Sequence, residues 1–176
     1  MPLPVAHGLL GASVAAALQP SSEPRYWRNL FIGAFLGICP DFDYALNWLR
    51  ISGGGWHHGF THSFLFAICL GLLTTLILRE VKIRSAIIFV SAAVSHTLID
   101  YVMTESRGVA LWWPFTDHRY KLRFPNPIDY TWDDSTVSRM VSDLLRISLI
   151  ELMVFGVLLL AVLWIKKGTR KRPSIS

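Results

Sequence analysis

Three apolar stretches, Ser63 to Leu78, Ser85 to Met103 and Ile147 to Ile165, constrain this chain more than any other feature. Each approaches the run of about 20 residues that a helix needs to cross a bilayer core. The last is bounded by Lys166 and Lys167, as membrane flanks are. Two shorter apolar runs, Val5 to Leu18 and Leu30 to Cys39, precede them. These are short for upright spans and fit a tilted hairpin, a re-entrant pair, or helices packed against the others. The expected fold is all-α, a polytopic membrane helical bundle of about five helical segments.

Composition agrees. At 176 residues the chain has the length of one domain, and 52% hydrophobic against 16% charged residues is too apolar for an ordinary soluble one. The net charge of +5 would suit nucleic acid, but the bases cluster beside apolar runs, so membrane lipid is the expected partner and nucleic acid is not. Residues 1–165 read as a single membrane domain and 166–176 as a basic cytoplasmic tail. Cys39 and Cys69 lack CxxC spacing and read as small packing residues. The first apolar run has no basic residues before it, which argues against a cleaved signal peptide.

Gln19 to Arg25, QPSSEPR, reads as a turn, and Ser52 to Gly55, SGGG, as a flexible joint. A polar, aromatic stretch from Thr104 to about Asp143, with WWPF and PNP, separates the fourth and fifth segments. Its length suits a cover or entrance for a site better than a bare linker.

Charge fixes a frame for the segments. Arg79, Lys82 and Arg84 lie between the third and fourth, Arg25 and Arg28 between the first and second, and KKGTRKR follows the fifth. If the segments alternate in direction, all three clusters face one side, the cytoplasm by the positive-inside rule. Arg107, Arg119, Lys121 and Arg123 oppose that bias from the other side. In the same frame His7, Asp41, Asp43, His57, His62, His96 and Asp100 all fall on the external face. Unrelated polar residues have no reason to share that parity.

The chemistry of these residues points to metal. His96 and Asp100, in SHTLIDY, stand four apart on one helix face and can present nitrogen and oxygen to one cation. The bland alternative is a hydrogen-bonded pair, but an ionisable group in an apolar helix is costly unless paired or metal-bound. In GICPDFDY, Pro40 ends a helix and Asp41 and Asp43 follow, either sharing a metal position or capping a surface turn. GGGWHHGFTHSF brings His57, His58 and His62 within six residues, with Gly59 expected to let the backbone turn and Thr61 or Ser63 to cap the next helix. A pH-responsive cluster is the rival there. His7 is either ligand, ligand support or a packed core histidine, and His118 an exposed loop residue. Trp112, Trp113 and Phe115 form an interfacial belt or wall a cleft.

Four histidines and three aspartates exceed the needs of one tetrahedral zinc, so two ions are expected. Nitrogen and oxygen donors without thiolate suit Zn²⁺, Mn²⁺ or Fe²⁺. Such ions lower the pKa of bound water and hold an ester or phosphoryl oxygen, so hydrolysis is the reaction class that follows.

The motifs AHGLLG, GICPDFDY, HHGFTHSF, SHTLIDY and WWPF, in this order, resemble the YdjM-like family of LexA-associated inner-membrane proteins, regarded as metal-dependent hydrolases. The resemblance covers most of the chain up to about Phe115. It implies a bacterial inner (plasma) membrane location. The family element HRGxTHS maps onto His57 to Ser63, with His58 where the family has arginine, which removes any anion contact that arginine would make. The PD turn and HxxxD helix are more loosely similar to the all-helical zinc phospholipase C type, which leans the substrate towards phosphoesters and lipids.

The combined expectation is a membrane metal-dependent hydrolase acting on an ester or phosphoester of a lipid or amphiphilic, lipid-linked substrate. Its metal ligands are His7, Asp41, Asp43, His57, His62, His96 and Asp100, and its catalytic groups are His58, as proton donor or substrate contact, and Asp43. The rival functions are a metal or proton transporter using the same cluster, and a noncatalytic membrane regulator with a structural metal.

Overall fold

Pro4 opens helix α1 (Pro4–Leu18), where its missing N–H goes unused and its fixed φ already suits a helix. In the computed structural model, residues 2–44, 57–80, 82–104, 107–122, 128 and 135–170 are described. The expected SGGG joint, Arg123, the PNP segment and the tail beyond 170 lie outside them. Among the described residues every extended element is helical, in five helices and two short 3-10 turns.

Helix α2 (Tyr26–Ile38) folds back on α1 as a hairpin. Small residues make this possible: a Cβ on Gly11 would stand 2.2 Å from the Gly33 carbonyl oxygen, and one on Gly37 2.3 Å from that of His7. The two backbones therefore touch, as small-residue stripes allow in membrane helices. α2 begins four residues before its apolar run, because buried Asn29 bonds the Gln19 side chain across the hairpin at 2.9 Å and draws a polar turn into the helix. Pro40, with no N–H to give, converts the far end into a 3-10 turn at Cys39–Phe42.

A second 3-10 turn, Phe60–His62, leads into α3 (Phe64–Ile77), whose first turn is capped by the Ser63 hydroxyl accepting from the Phe66 amide at 3.1 Å. α4 (Ile83–Met103) returns alongside α3 and also packs on α1 and α2. α5 (Val137–Arg170) begins ten residues before the apolar run at Ile147. Its opening turns are polar, so hydropathy gave no sign of them, and the loop expected to reach Asp143 is correspondingly shorter. Ala15, Leu36, Ala67, Ile88, Phe89, Ala92 and Ala93 form the buried core between α1 and α4.

Two helices, α4 and α5, are long and apolar enough to span a bilayer. α3, expected as a third span, has 14 helical residues. At 1.5 Å per residue it reaches about 21 Å, short of a hydrocarbon core of about 30 Å. The outer faces stay apolar: Leu72, Leu73 and Leu76 on α3 and Met153, Val157 and Leu160 on α5 are exposed. That suits lipid, not water.

α5 holds α1 at both ends. The fully buried Glu151 carboxylate accepts from the Leu3 amide at 2.6 Å and the Ala6 amide at 3.1 Å, and Lys166 Nζ donates to the Gln19 carbonyl at 3.0 Å. An anion at the first turn and a cation past the last complement the helix dipole, so α1 and α5 run parallel. At the Lys166 end, Glu80 between α3 and α4 takes Arg25 at 2.5 Å, Arg28, and the Ser85 hydroxyl at 3.1 Å. Partial burial would raise the Glu80 pKa, but hydrogen bonds from Arg28, Arg25 and Ser85 bring it below its ordinary value. The bases of the first and third connections thus gather at one end of the bundle, as the sequence frame required.

Candidate metal centre

At the opposite end four separate parts of the chain meet. α1 brings His7 from its first turn, the 3-10 turn after α2 brings Asp41 and Asp43, the turn before α3 brings His57, His58 and His62, and α4 brings His96 and Asp100. Contact between Gly37 and the His7 backbone is what lets α1 deliver its imidazole beside Asp41. Except for His57, each of these side chains is buried.

The separations suit a shared cation. His62 Nε2 lies 3.3 Å from Asp100 Oδ2 and 3.4 Å from Asp41 Oδ1, and His96 Nε2 lies 3.3 Å and 3.7 Å from the same two oxygens. His7 Nε2 is 3.5 Å from Asp100 Oδ1 and 3.7 Å from Asp41 Oδ2. These distances exceed the usual N–H···O range. Donors bound at 2.0–2.2 Å to one tetrahedral ion stand roughly 3.4 Å apart. Nε2 of His7, His62 and His96, Asp41 Oδ1 and both Asp100 oxygens are buried with no hydrogen-bond partner among the described residues. Such orphaned groups cost free energy unless something else satisfies them. Two sets could hold a metal ion: His7, Asp41, His96 and Asp100, and His57, His58 and His62, the donor atoms of each set lying within 4.8 Å of one another.

Three of the imidazoles are oriented by their other nitrogen. His96 Nδ1 is 2.6 Å from the Gly37 carbonyl, which can only accept, so Nδ1 carries the proton and Nε2 turns a lone pair to the cluster. Gly37 is in the last turn of α2, where carbonyls lack helical partners. Thr61 donates its hydroxyl to Asp43 Oδ2 at 2.7 Å, leaving its oxygen to accept from His62 Nδ1 at 2.9 Å. His57 Nδ1 stands 3.0 Å from Asp43 Oδ1. Asp43 thus backs the imidazoles, whereas Asp41 and Asp100 face them. Burial would raise the Asp43 pKa, but hydrogen bonds from His57 and Thr61 hold it below the carboxylate range.

Some expectations shift. Gly59 is not the left-handed residue of the turn: its φ is −88°, and His58 takes the positive φ of 62°. That conformation swings the His58 ring over His57, centroids 4.1 Å apart, with Nε2 3.9 Å from Asp100 Oδ2. Thr61 orients His62 while Ser63 makes the helix cap. The loop after α4 sits on this turn, through Ala110 N to His58 O at 3.0 Å, Phe64 N to Leu111 O at 3.0 Å, and Arg119 to the His57 carbonyl at 3.4 Å. Trp112 and Trp113 pack on Phe64 and Phe60 with outer faces exposed, and Phe115 and His118 are exposed. Cys39 and Cys69 are free. Glu151 was missed, although a lone acid in an apolar span was there to be read.

No solved structure matches the chain. A curated relative, the inner membrane protein YbcI of Escherichia coli strain K12, is 32% identical over 126 residues, covering 68% of this chain and 72% of that protein. The YdjM inner membrane protein family matches residues 1–170. This apolar helical bundle, matched by the family over residues 1–170, belongs to the YdjM inner membrane protein family.

Proposed function

We propose that the protein is a membrane-bound metal-dependent hydrolase acting on an ester or phosphoester bond of a lipid or amphiphilic substrate. The observation that carries this reading is the meeting of unpartnered, buried imidazole nitrogens and carboxylate oxygens from four parts of the chain. His7, Asp41, His96 and Asp100 would hold one divalent ion, and His57 and His62 would serve a second. Zn²⁺ fits the nitrogen and oxygen donors, with Mn²⁺ and Fe²⁺ as alternatives. When bound, such ions supply an acidified water and polarise the ester oxygen.

The chain's own residues do the rest. Asp43 and Thr61 hold His62 in the tautomer that presents Nε2, and the Gly37 carbonyl does so for His96. His57, partly exposed and resting on Asp43, marks the open side where a substrate would enter. His58, packed against it at a tilt, is the nearest candidate to donate a proton to a leaving group, and Asp43, also bonded to His57, the candidate to accept one. With the basic end towards the cytoplasm, the centre faces outward at headgroup depth. A transporter would need ligating groups along a path through the bilayer. Here the His/Asp donors collect at one end.

The test is elemental analysis of detergent-purified protein beside His62→Ala and Asp100→Ala, with hydrolysis assayed on amphiphilic ester and phosphoester panels. Bound Zn, Mn or Fe in the wild type, lost in both variants together with hydrolysis, is the expected result. Unchanged metal in both variants overturns the site, and metal without hydrolysis favours a structural ion in a noncatalytic regulator.

A further inference from the structure

The basic end carries more charge than its own acids consume. Glu80 takes Arg25 and Arg28, while Arg79, Lys82 and Arg84 are exposed with no acidic partner among the described residues. A cavity of about 630 Å³ opens between the start of α2 and the α3–α4 turn, with Arg25, Arg79, Lys82 and Arg84 in its lining against Glu23 and Glu80. α4 starts on its edge with no side-chain cap and no acid in its first turn. The helix dipole and the bases therefore add where like charges should repel, and an anion would relieve both. Just beside them Ile83 is 79% exposed, with Ile77 and Ile87 also bare. Free phosphate has no use for that apolar rim, but an acyl chain does.

We propose that this cavity binds the headgroup phosphate of an anionic phospholipid, held by Arg79, Lys82 and Arg84, with a chain along Ile83 and Ile87. The site is separate from the metal centre and does not depend on it. Binding of such a lipid would fix the protein's depth and orientation at its basic surface.

The test is native mass spectrometry of the full chain in detergent, titrated with phosphatidylglycerol, phosphatidylcholine and inorganic phosphate. The expected result is retention of phosphatidylglycerol several-fold over phosphatidylcholine, reduced several-fold by the triple variant Arg79→Gln, Lys82→Gln, Arg84→Gln. A control triple at the other end, Arg107→Gln, Lys121→Gln, Arg139→Gln, removes the same formal charge and should leave retention unchanged. Arg84→Gln alone gives a smaller loss and serves if the triple does not fold. Equal retention of the two lipids, an equal loss in the control triple, or displacement by inorganic phosphate at lipid-like concentrations would overturn the proposal.

Discussion

Glu151 and Asp100 are both fully buried carboxylates in apolar helices, yet they are different kinds of group. Glu151 accepts two backbone amides from the first turn of α1. Asp100 faces the Nε2 atoms of His7, His62 and His96 at 3.3–3.5 Å, with both oxygens lacking hydrogen-bond partners among the described residues. Burial of charge is common to both and so identifies neither. What separates them is satisfaction: one carboxylate is completed by the protein's amides, and the other keeps both oxygens without a hydrogen-bond partner among the described residues.

Substitutions should pull the two apart. Asp100→Asn is expected to weaken metal retention by more than about 100-fold, since partners merely bonded to ligands already contribute 10–100-fold. The metal-free variant should melt no lower than metal-free wild type, because a buried orphan charge has been removed; a lower melting temperature would mean that Asp100 is structural after all. Chelation of the wild type should in turn lower its melting temperature, by the equivalent of about 4 kcal/mol if the ion is bound at a thousand times its dissociation constant.

Glu151→Ala should behave in the opposite sense. It strands the Leu3 amide in an apolar setting at about 1–3 kcal/mol and leaves the Ala6 amide only its 3.1 Å bond to the Leu3 carbonyl, lowering stability while the folded protein keeps its metal stoichiometry. Loss of metal with unchanged stability would reverse the assignment.

Gly37→Ala sharpens the comparison from a third side, since its Cβ would press on the His7 carbonyl. A cost of about 1–3 kcal/mol is expected from overpacking, with metal affinity falling as His7 moves from Asp41. Equal affinity in a metal titration would remove His7 from the ligand set.

The smallest effect belongs to Glu80→Gln, which breaks an ion cluster whose two arginines are open to solvent and should cost about 1 kcal/mol. Because the Glu80 pKa is lowered in the fold, its contribution is present above its ordinary value of 4.5 and is lost as pH falls through the lowered one. Wild type and variant melting curves should therefore differ at pH 7 and converge as pH falls through the lowered Glu80 pKa.

The helices and the parity of the site were readable in order and composition. Apolar runs announce segments that must be helical in lipid, and alternation alone sends His7, Asp41, His62, His96 and Asp100 to one end. Polar helix was not readable: the opening turns of α5 and the Asn29 turn of α2 carry no hydropathy signal, and the latter rests on a contact with Gln19 across the hairpin. Nor was the division of labour among like residues. Asp41 and Asp43 are two positions apart and chemically the same, but Thr61 and His57 reach one of them and not the other.

The sequence by itself determined that this chain is a helical membrane protein with an imidazole and carboxylate cluster at one end, because hydropathy and chain direction are local properties that add along the chain. Tertiary structure decided which donors are left without partners, which nitrogen each ring presents, and that an acid on the last helix anchors the first. Those depend on close contacts between distant segments, among them the touching glycine backbones of α1 and α2.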